Sequence, residues 1–263
     1  MKHKMTKKIL IFISILFFTQ VNSQFKGKKI LAIFSHPDDE QTIAPILVKY
    51  AEQGVSVDLV ICTDGRYGVN QYNNYKAGEE LVEIRKNEMK CAAKKLGVNL
   101  IHLNYHDQLK AREGFDGHIP HVRKLILELK ELIELSEPDV IITWGPDGGT
   151  NHIDHRLIST SVTQVFLSKK WNKEISLYYY GTPNHLITDQ KNQTLRGQEK
   201  KYLTTEISFN DNHFKTAYDA LLCHESQYPK QIVEKLKRER KLKGNIVYLR
   251  KFVFSSTIEK SLF

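Results

Sequence analysis

Short apolar runs alternate along the chain with longer segments in which hydrophobic residues recur every three or four positions. The first such pair joins the apolar run at residues 30–34 to residues 40–53, where Ile43, Leu47 and Ala51 mark one helical face. Strands that alternate with helices indicate a parallel sheet with right-handed crossover connections. The predicted strands are residues 30–34, 55–62, 100–103, 139–144 and 175–180, and the predicted helices are residues 40–53, 79–96, 122–135 and 152–167.

The pattern weakens after residue 182 and predicts smaller elements. These are a strand near Ile207, a helix at residues 213–224, a charged helix within residues 230–243 and a last strand near residues 247–254. We therefore expect an α/β, Rossmann-like fold. Its mostly parallel sheet should have the order 3-2-1-4-5, with helices on both faces and a smaller C-terminal α+β extension.

The first residues have the three-part layout of a secretory signal peptide. Four lysines precede an apolar stretch at residues 9–18, and moderate or small side chains at residues 21–23 follow it. The stretch is shorter than the ~20 residues that a membrane-spanning helix needs. We expect cleavage near Ser23–Gln24, export to the periplasm or the medium, and no stable membrane insertion afterwards. A buried N-terminal strand or an uncleaved anchor is the alternative. Residues 24–263 then form a single domain.

Charge and cysteine content exclude some function classes. Of the 39 basic residues four lie within residues 1–23, so against 30 acidic residues the mature chain carries a net charge of +5. Much of this charge lies in residues 230–243, where Lys, Arg and Glu are interleaved as on a solvated helix face. Nothing there resembles a nucleic-acid-binding motif, and we expect no nucleic-acid partner. Three cysteines, Cys62, Cys91 and Cys223, are an odd number, and we expect buried free thiols rather than a disulfide scaffold.

The first candidate site follows the first strand. No Gly-x-Gly-x-x-Gly occurs there, so a dinucleotide site is not supported. Instead, His36, Asp38 and Asp39 lie in the turn of residues 35–40, where open α/β sheets bind ligands. Pro37 restricts the backbone of His36 to an extended conformation. Taken alone, the carboxylates could either cap the following helix or bind a metal.

A second polar cluster follows the fourth predicted strand. His152 and His155 are three residues apart, so they share a face at the start of a helix, and glycine-rich residues 145–149 precede them. In a sheet of order 3-2-1-4-5 the first and fourth strands are neighbours, so both clusters meet at the topological switch point. Two histidines and one carboxylate with an open fourth position are typical of catalytic zinc. The sequence therefore predicts a metal site.

Residues 32–40 and 146–155 resemble the signature motifs of the PIG-L/LmbE-like deacetylases. This family includes N-acetylglucosaminyl-phosphatidylinositol de-N-acetylase and deacetylases of thiol-cofactor pathways. Residues 85–98, 105–107 and 220–227 resemble further family segments. The resemblance implies a zinc-dependent hydrolase that removes an N-acetyl group from an N-acetylglucosamine-type amino sugar or glycoconjugate with a metal-activated water. Fe²⁺ is the alternative metal.

The resemblance also implies roles for individual residues. His36, Asp39 and His155 would bind one Zn²⁺ per chain. Asp38 would be the general base, and His152 would stabilise the tetrahedral intermediate and orient that base. For Asp154 we favour a hydrogen bond to a ligand histidine or a place at the helix start.

Two positions depart from the family pattern. Asp64-Gly65-Arg66 stands where relatives often have a Gly-Glu pair, so an acidic contact is missing or displaced. Thr150 stands where some relatives have a mobile tyrosine, so oxyanion stabilisation would rest on the metal, His152 and another group.

Substrate contacts are predicted from residue type. Arg85, Asp107 and Tyr72 are the candidates, although Arg85 could instead form a helix-surface salt bridge with Glu88. The loop at residues 66–75 has the rings and amides that suit a sugar, but an ordinary surface loop has them too. Four further histidines are expected to be structural: His106, His118, His121 and His224.

Three function classes remain open at this point. The first is deacetylation of an amino sugar, the second is amide hydrolysis of a non-sugar substrate at the same zinc site, and the third is a non-catalytic carbohydrate- or metal-binding module. Asp38 argues against the third class, because metal binding alone does not require it. The sequence does not identify the acetylated substrate, the oligomeric state, the metal used in the cell or the role of residues 228–263.

Overall fold

A computed structural model describes residues 25–187, 195–254 and 257–262. The strands in this part of the chain are β1 Lys29–Phe34, β2 Ser56–Thr63, β3 Asn99–Tyr105, β4 Val140–Trp144, β5 Ser176–Tyr180, β6 Thr205–Ser208 and β7 Ile246–Lys251. The α-helices are α1 Ala44–Glu52, α2 Glu79–Leu96, α3 Gly114–Ser136, α4 Ile153–Leu167, α5 Asp211–Leu221 and α6 Lys230–Leu242. Residues 1–23 lie outside the described residues, so the signal peptide stays a prediction, as does the extent of the domain.

The strands form one mixed sheet in the order β3-β2-β1-β4-β5-β7-β6. The first five are parallel, and their order confirms the predicted 3-2-1-4-5 arrangement. β7 is antiparallel to β5, and β6 is antiparallel to β7, which makes the C-terminal extension a continuation of the same sheet. The fold class expected from the sequence is therefore confirmed.

Helices cover both faces of the sheet, which is why β1 is apolar at every position after Lys29. Ala32 and Phe34 pack with α1, α2 and α5 on one face, and Leu31 and Ile33 pack with α3 and α4 on the other. Both layers lie against β1 and β4, so the carboxyl ends of these two strands are held by packing on each side. No helix in the described part of the chain has the length and apolar character needed to span a membrane.

Two helices begin four or more residues away from the predicted start. Residues 39–42 form a 3₁₀ turn, and α1 begins only at Ala44 with Pro45 in its first turn, because proline has no N–H to donate inside a helix. α3 begins at Gly114, eight residues before the predicted start at 122, and it contains Pro120. Packing against α4 and the preceding 3₁₀ segment outweighs the low helix propensity of glycine and proline there.

The prediction of free thiols is wrong for two of the three cysteines. Cys91 in α2 and Cys223 just after α5 form a disulfide, with their Cα atoms 5.8 Å apart. Packing of α2 against α5 brings together residues that are 132 positions apart in the chain. Cys62 is the free, buried thiol, and burial raises its pKa.

Candidate metal centre and active site

The two polar clusters meet at the carboxyl ends of β1 and β4. The turn after β1 carries His36 and Asp39, and His155 lies in the first turn of α4. His36 Nδ1 lies 3.2 Å from His155 Nε2, and His155 Nε2 lies 3.2 Å from Asp39 Oδ1. His36 Nδ1 lies 3.5 Å from Asp39 Oδ2. Ligand atoms around tetrahedral zinc are about 3.3 Å apart, given Zn–N and Zn–O bonds near 2.0–2.1 Å, so the two 3.2 Å distances match.

Hydrogen bonds fix which nitrogen of each ring faces this point. His155 Nδ1 lies 2.9 Å from the Gly148 carbonyl oxygen, which can only accept, so Nδ1 carries the proton. His36 Nε2 donates in the same way to Asp154 Oδ2 at 2.9 Å. In the neutral rings, His36 Nδ1 and His155 Nε2 therefore both present lone pairs toward one point. Two lone pairs and a carboxylate repel each other unless a cation lies between them, so the residues present fit a divalent metal.

Asp39 is held as the anionic member of this set. Its Oδ2 accepts hydrogen bonds from the backbone N–H groups of Ser35 and His36 and from Trp144 Nε1, at 2.8–3.3 Å. Burial opposes ionisation, but His155 and His36 hold the pKa of Asp39 well below its ordinary value. Burial likewise disfavours the charged form of His36, but Asp39 and Asp154 raise the pKa of His36 well above its usual value. Without a metal, the site attracts a proton in its place.

Asp38 lies beside this set without belonging to it. Its side chain is 13% exposed, and Oδ1 accepts from Arg85 Nη2 at 3.1 Å. Burial raises the pKa of Asp38 from 3.8 to about 6, Arg85 opposes the rise, and the neighbouring charge of Asp39 adds to it. A carboxyl group with this pKa is ionised at pH 7 and still basic enough to accept a proton.

His152 caps α4 and borders the same point. Its Nδ1 accepts from the backbone N–H of Asp154 at 3.2 Å, so a neutral ring carries its proton on Nε2. Its ring lies 4.8 Å from that of His36 and 5.1 Å from that of His155, and its side chain is 44% exposed. Burial and the charge of His36 lower the pKa of His152, which favours the neutral ring.

Asp154 is fully buried and contacts His36. Its Oδ2 accepts from His36 Nε2 and from the backbone N–H of Gln108 at 3.0 Å. Thr150, at the position of the family's tyrosine, places its hydroxyl 2.9 Å from His155 Nδ1. Both side chains thus contact a ligand ring rather than the open side of the site.

Arg85 does not form the surface salt bridge with Glu88 that the sequence allowed. It is 3% exposed, and its guanidinium donates to the carbonyl oxygens of Gly65 and Pro37 and to Asp38. Glu88 instead accepts from the backbone and hydroxyl of Ser226. The guanidinium fills the space that a Cβ atom would need at Gly65, which explains glycine there.

The other two substrate candidates are Asp107, 3.9 Å from His36 Nε2, and Tyr72 in the loop at residues 66–75. Asp107 is buried and accepts from the backbone N–H groups of Gly65 and Tyr67 at 2.9 Å, so its carboxylate holds the loop. Tyr72 is 46% exposed on the surface of that loop. Asp64 supplies an acidic group in the segment where relatives often have a glutamate. Its carboxylate forms a salt bridge with Arg66, with 2.6 Å between Asp64 Oδ2 and Arg66 Nη2.

The sequence did not reveal two features of the site. Trp144 stacks on the His155 ring with the centroids 4.2 Å apart, and Glu40 forms a buried pair with His224 at 2.8 Å. The position of Trp144 as the last residue of a strand that precedes a metal motif could have indicated the first contact. Residues 40 and 224 are too far apart in the chain to suggest the second.

Comparisons with known proteins show which proteins this chain resembles. The chain is 31% identical over 150 residues to the 1D-myo-inositol 2-acetamido-2-deoxy-alpha-D-glucopyranoside deacetylase of Corynebacterium glutamicum strain R, a match that covers 51% of each chain. This chain therefore spans about half the length of that relative.

Two solved structures show the same fold. The N,N'-diacetylchitobiose deacetylase from Pyrococcus horikoshii has a TM-score of 0.62 and 20% identity, covering 94% of this chain and 92% of that one. The 4-carboxy-2-hydroxymuconate hydratase from Pseudomonas putida has a TM-score of 0.63 and 13% identity, covering 89% of this chain and 100% of that one. Because a hydratase and a deacetylase share this fold, the fold alone does not determine the reaction.

The model of the PIG-L family, described as GlcNAc-PI de-N-acetylase, matches residues 31–166. This segment runs from β1 through α4 and contains His36, Asp38, Asp39 and His155. With more than half of the chain matched and both metal motifs inside the match, the chain belongs to the PIG-L family.

Proposed function

We propose that the protein is a zinc-dependent hydrolase that removes the N-acetyl group from an N-acetylglucosamine-type amino sugar or glycoconjugate. The observation that carries this proposal is the convergence of two histidine lone pairs and one carboxylate beside a separate, buried Asp38. A binding module would need the first three groups only. His36, Asp39 and His155 would hold the ion, which when bound polarises the acetamide carbonyl and makes a water more acidic.

Asp38 accepts the proton of the attacking water. As the water oxygen bonds to the acetyl carbon, one of its protons passes to the Asp38 carboxylate. The same group then returns the proton to the sugar nitrogen while the C–N bond breaks, so a free amine and acetic acid leave, and the acid ionises to acetate in water. Arg85 Nη2 donates to Asp38 Oδ1 at 3.1 Å and orients the carboxylate. The aspartate ends as it began, ionised and ready for another turnover.

His152 supplies a hydrogen bond to the carbonyl oxygen as that oxygen becomes negative. Its proton lies on Nε2, because Nδ1 accepts from the Asp154 N–H. Thr150 lacks the ring of the family's tyrosine, and its hydroxyl is engaged with His155. The side-chain contribution to oxyanion stabilisation therefore comes from His152.

Similarity to enzymes named for acetylated glucosamine compounds supports a sugar substrate. The C. glutamicum relative is named for a GlcNAc–inositol compound, and the P. horikoshii structure is named for diacetylchitobiose. In this chain the loop at residues 66–75 is joined to Asp107 through the backbone N–H of Tyr67 and carries the exposed rings of Tyr72 and Tyr75. We propose that these rings contact the sugar, since exposed aromatic side chains bind an apolar ligand face while keeping polar atoms in water.

We also propose that the protein acts outside the cytoplasm. The layout of residues 1–23 supports export. The Cys91–Cys223 disulfide supports it independently, because such bonds persist in oxidising compartments and are rare in the cytosol.

The test is a substrate screen with residues 24–263 loaded with one equivalent of zinc. Acetylated amino sugars, chitobiose, GlcNAc conjugates and non-sugar acetamides are incubated with the protein, and mass spectrometry detects loss of one acetyl group. We expect release from at least one GlcNAc compound, and with Asp38→Asn a rate of release that is ~10²–10⁴-fold lower. Release from non-sugar amides alone would favour the amidase. Zinc binding without any release, together with retained glycan binding, would favour the binding module.

A further inference from the structure

The backbone at Asp38 has a conformation that must be held in place. Its φ is 105°, in the left-handed region that residues with a Cβ atom rarely adopt. Such outliers persist only when neighbouring groups over-determine them. Arg85 fixes the side chain of Asp38, and a second device is needed for its backbone.

Glu40 provides a backbone contact at this turn. It is 1% exposed, and its Oε2 accepts the N–H of Asp38 at 3.0 Å. Its Oε1 lies 2.8 Å from His224 Nε2. The carboxylate therefore bridges the turn that carries the base and a histidine 184 residues away.

His224 is fully buried, and only one of its two ring nitrogens has a hydrogen-bond partner within the described residues. Nε2 donates to Glu40, whereas Nδ1 has no hydrogen-bond partner within the described residues. Burial opposes the charged ring, but Glu40 raises the pKa of His224. A buried polar ring with an unsatisfied nitrogen is costly for packing alone. The contact with Glu40 is thus the one that accounts for a histidine here.

The segment that carries His224 is anchored on both sides. Cys223 is joined by the disulfide to Cys91 in α2, the helix that also carries Arg85. Ser226 is bound to Glu88 of the same helix. Helix α2 and its attached segment therefore hold both the side chain and the backbone of Asp38.

We infer that Glu40 and His224 are positioning residues that keep Asp38 in its left-handed turn, so that its carboxylate stays aligned with the attacking water. This inference rests on the proposed role of Asp38 as the base. A purely structural pair would affect folding alone, whereas a positioning pair also affects kcat. A loss of alignment by about 1 Å can lower a rate about 100-fold.

The chain offers a matched control. His213 in α5 is 8% exposed, and its Nε2 lies 3.0 Å from Glu52 Oε2 of α1. This second histidine–glutamate pair joins α5 to α1 without touching Asp38. His213→Leu should therefore lower Tm but leave kcat per bound zinc unchanged.

The experiment measures kcat, KM, zinc content and Tm for zinc-loaded wild type, His224→Leu, His224→Gln and His213→Leu. We expect His224→Leu to lower kcat about 10- to 100-fold, with zinc retained and KM much less affected. Glutamine keeps a donor at the position of Nε2, so His224→Gln should recover most of that loss. An unchanged kcat in His224→Leu, or an equal loss in His213→Leu, overturns the inference.

Two further measurements keep the test independent of folding yield and of activity. If His224→Leu does not fold, His224→Asn replaces it. Its shorter amide cannot reach Glu40, and equal kcat in the asparagine and glutamine variants overturns the inference. Amide hydrogen exchange by NMR should be faster at Asp38 N–H in His224→Leu, or in His224→Asn, than in wild type, and unchanged exchange overturns the positioning role. This readout stands even if the wild type releases no acetate, a result that would refute the proposed hydrolysis instead.

Discussion

Replacing Asp38 with asparagine should stabilise the metal-free protein while it removes turnover. The carboxyl group is buried and lies beside Asp39 and Glu40. Burial and the two neighbouring carboxylates disfavour its ionised form, and Arg85 offsets only part of this cost. The folded state therefore disfavours the ionised form of Asp38, which is the form that the proposed mechanism needs. Asparagine keeps the shape, tolerates positive φ and never ionises.

The magnitude follows from the raised pKa. In the folded, metal-free protein the pKa of Asp38 rises from 3.8 to about 6. Ionised Asp38 is disfavoured in the fold, so the wild type loses stability as the pH rises from about 4 to about 6. The loss amounts to about 3 kcal/mol and is constant at higher pH. Asp38→Asn should be more stable by about this amount at pH 7.

The assay is urea denaturation with a chelator present, at pH values from 5 to 8. The stability difference should grow up to about pH 6 and then level off. Asp139→Asn is a control of opposite sign: burial opposes its ionisation, but hydrogen bonds from Lys29 and Lys28 lower its pKa, so that variant should lose stability. In zinc-loaded Asp38→Asn, turnover should fall ~10²–10⁴-fold with zinc retained. An asparagine variant no more stable than wild type at pH 7, or a gain that does not vary with pH, would refute the reasoning.

Three other predictions follow from the same contacts. The acidic limb of kcat/KM should have its midpoint at or below about 6, the pKa of Asp38 without metal, because a bound cation can only lower it. In Arg85→Gln the midpoint should move to higher pH, and a pH–rate profile that does not move would exclude Arg85 as the partner of the base. Deleting residues 72–75 should raise KM on a GlcNAc substrate without lowering zinc content, and unchanged Michaelis curves would remove the loop from the sugar site. Replacing Cys91 and Cys223 together with serine should lower the free energy of unfolding by about 2–4 kcal/mol, measured by denaturation without reductant, and an unchanged midpoint would contradict a stabilising disulfide.

The sheet and the approach of the two polar motifs were predictable because their signals are local. Apolar β-branched runs identify β1 and β4, and each is followed by a polar motif within a few residues. The strand order then places His36 beside His155 without any knowledge of side-chain positions. Two short motifs and one topological rule are therefore sufficient to predict that the polar residues after β1 and after β4 lie together.

The contacts around these polar residues were harder to predict, although the sequence did contain evidence that Arg85 is buried. Arg85 follows Leu81 and precedes Met89 by four residues, so helical periodicity places it on the buried face of α2. This spacing could have excluded the surface salt bridge. By contrast, the Cys91–Cys223 disulfide and the Glu40–His224 pair depend on how α5 packs over α1 and α2. Nothing local in the sequence encodes that packing.

Acetate release as zinc is added back to metal-free protein tests metal-dependent hydrolysis most directly. The substrate is the GlcNAc compound found in the screen, and the zinc is added in fractions of an equivalent. We expect no release at the start and a linear rise that ends at one zinc per chain, as one His36–Asp39–His155 site requires. Full release from the metal-free protein, or no release at one bound zinc, would contradict the proposed mechanism.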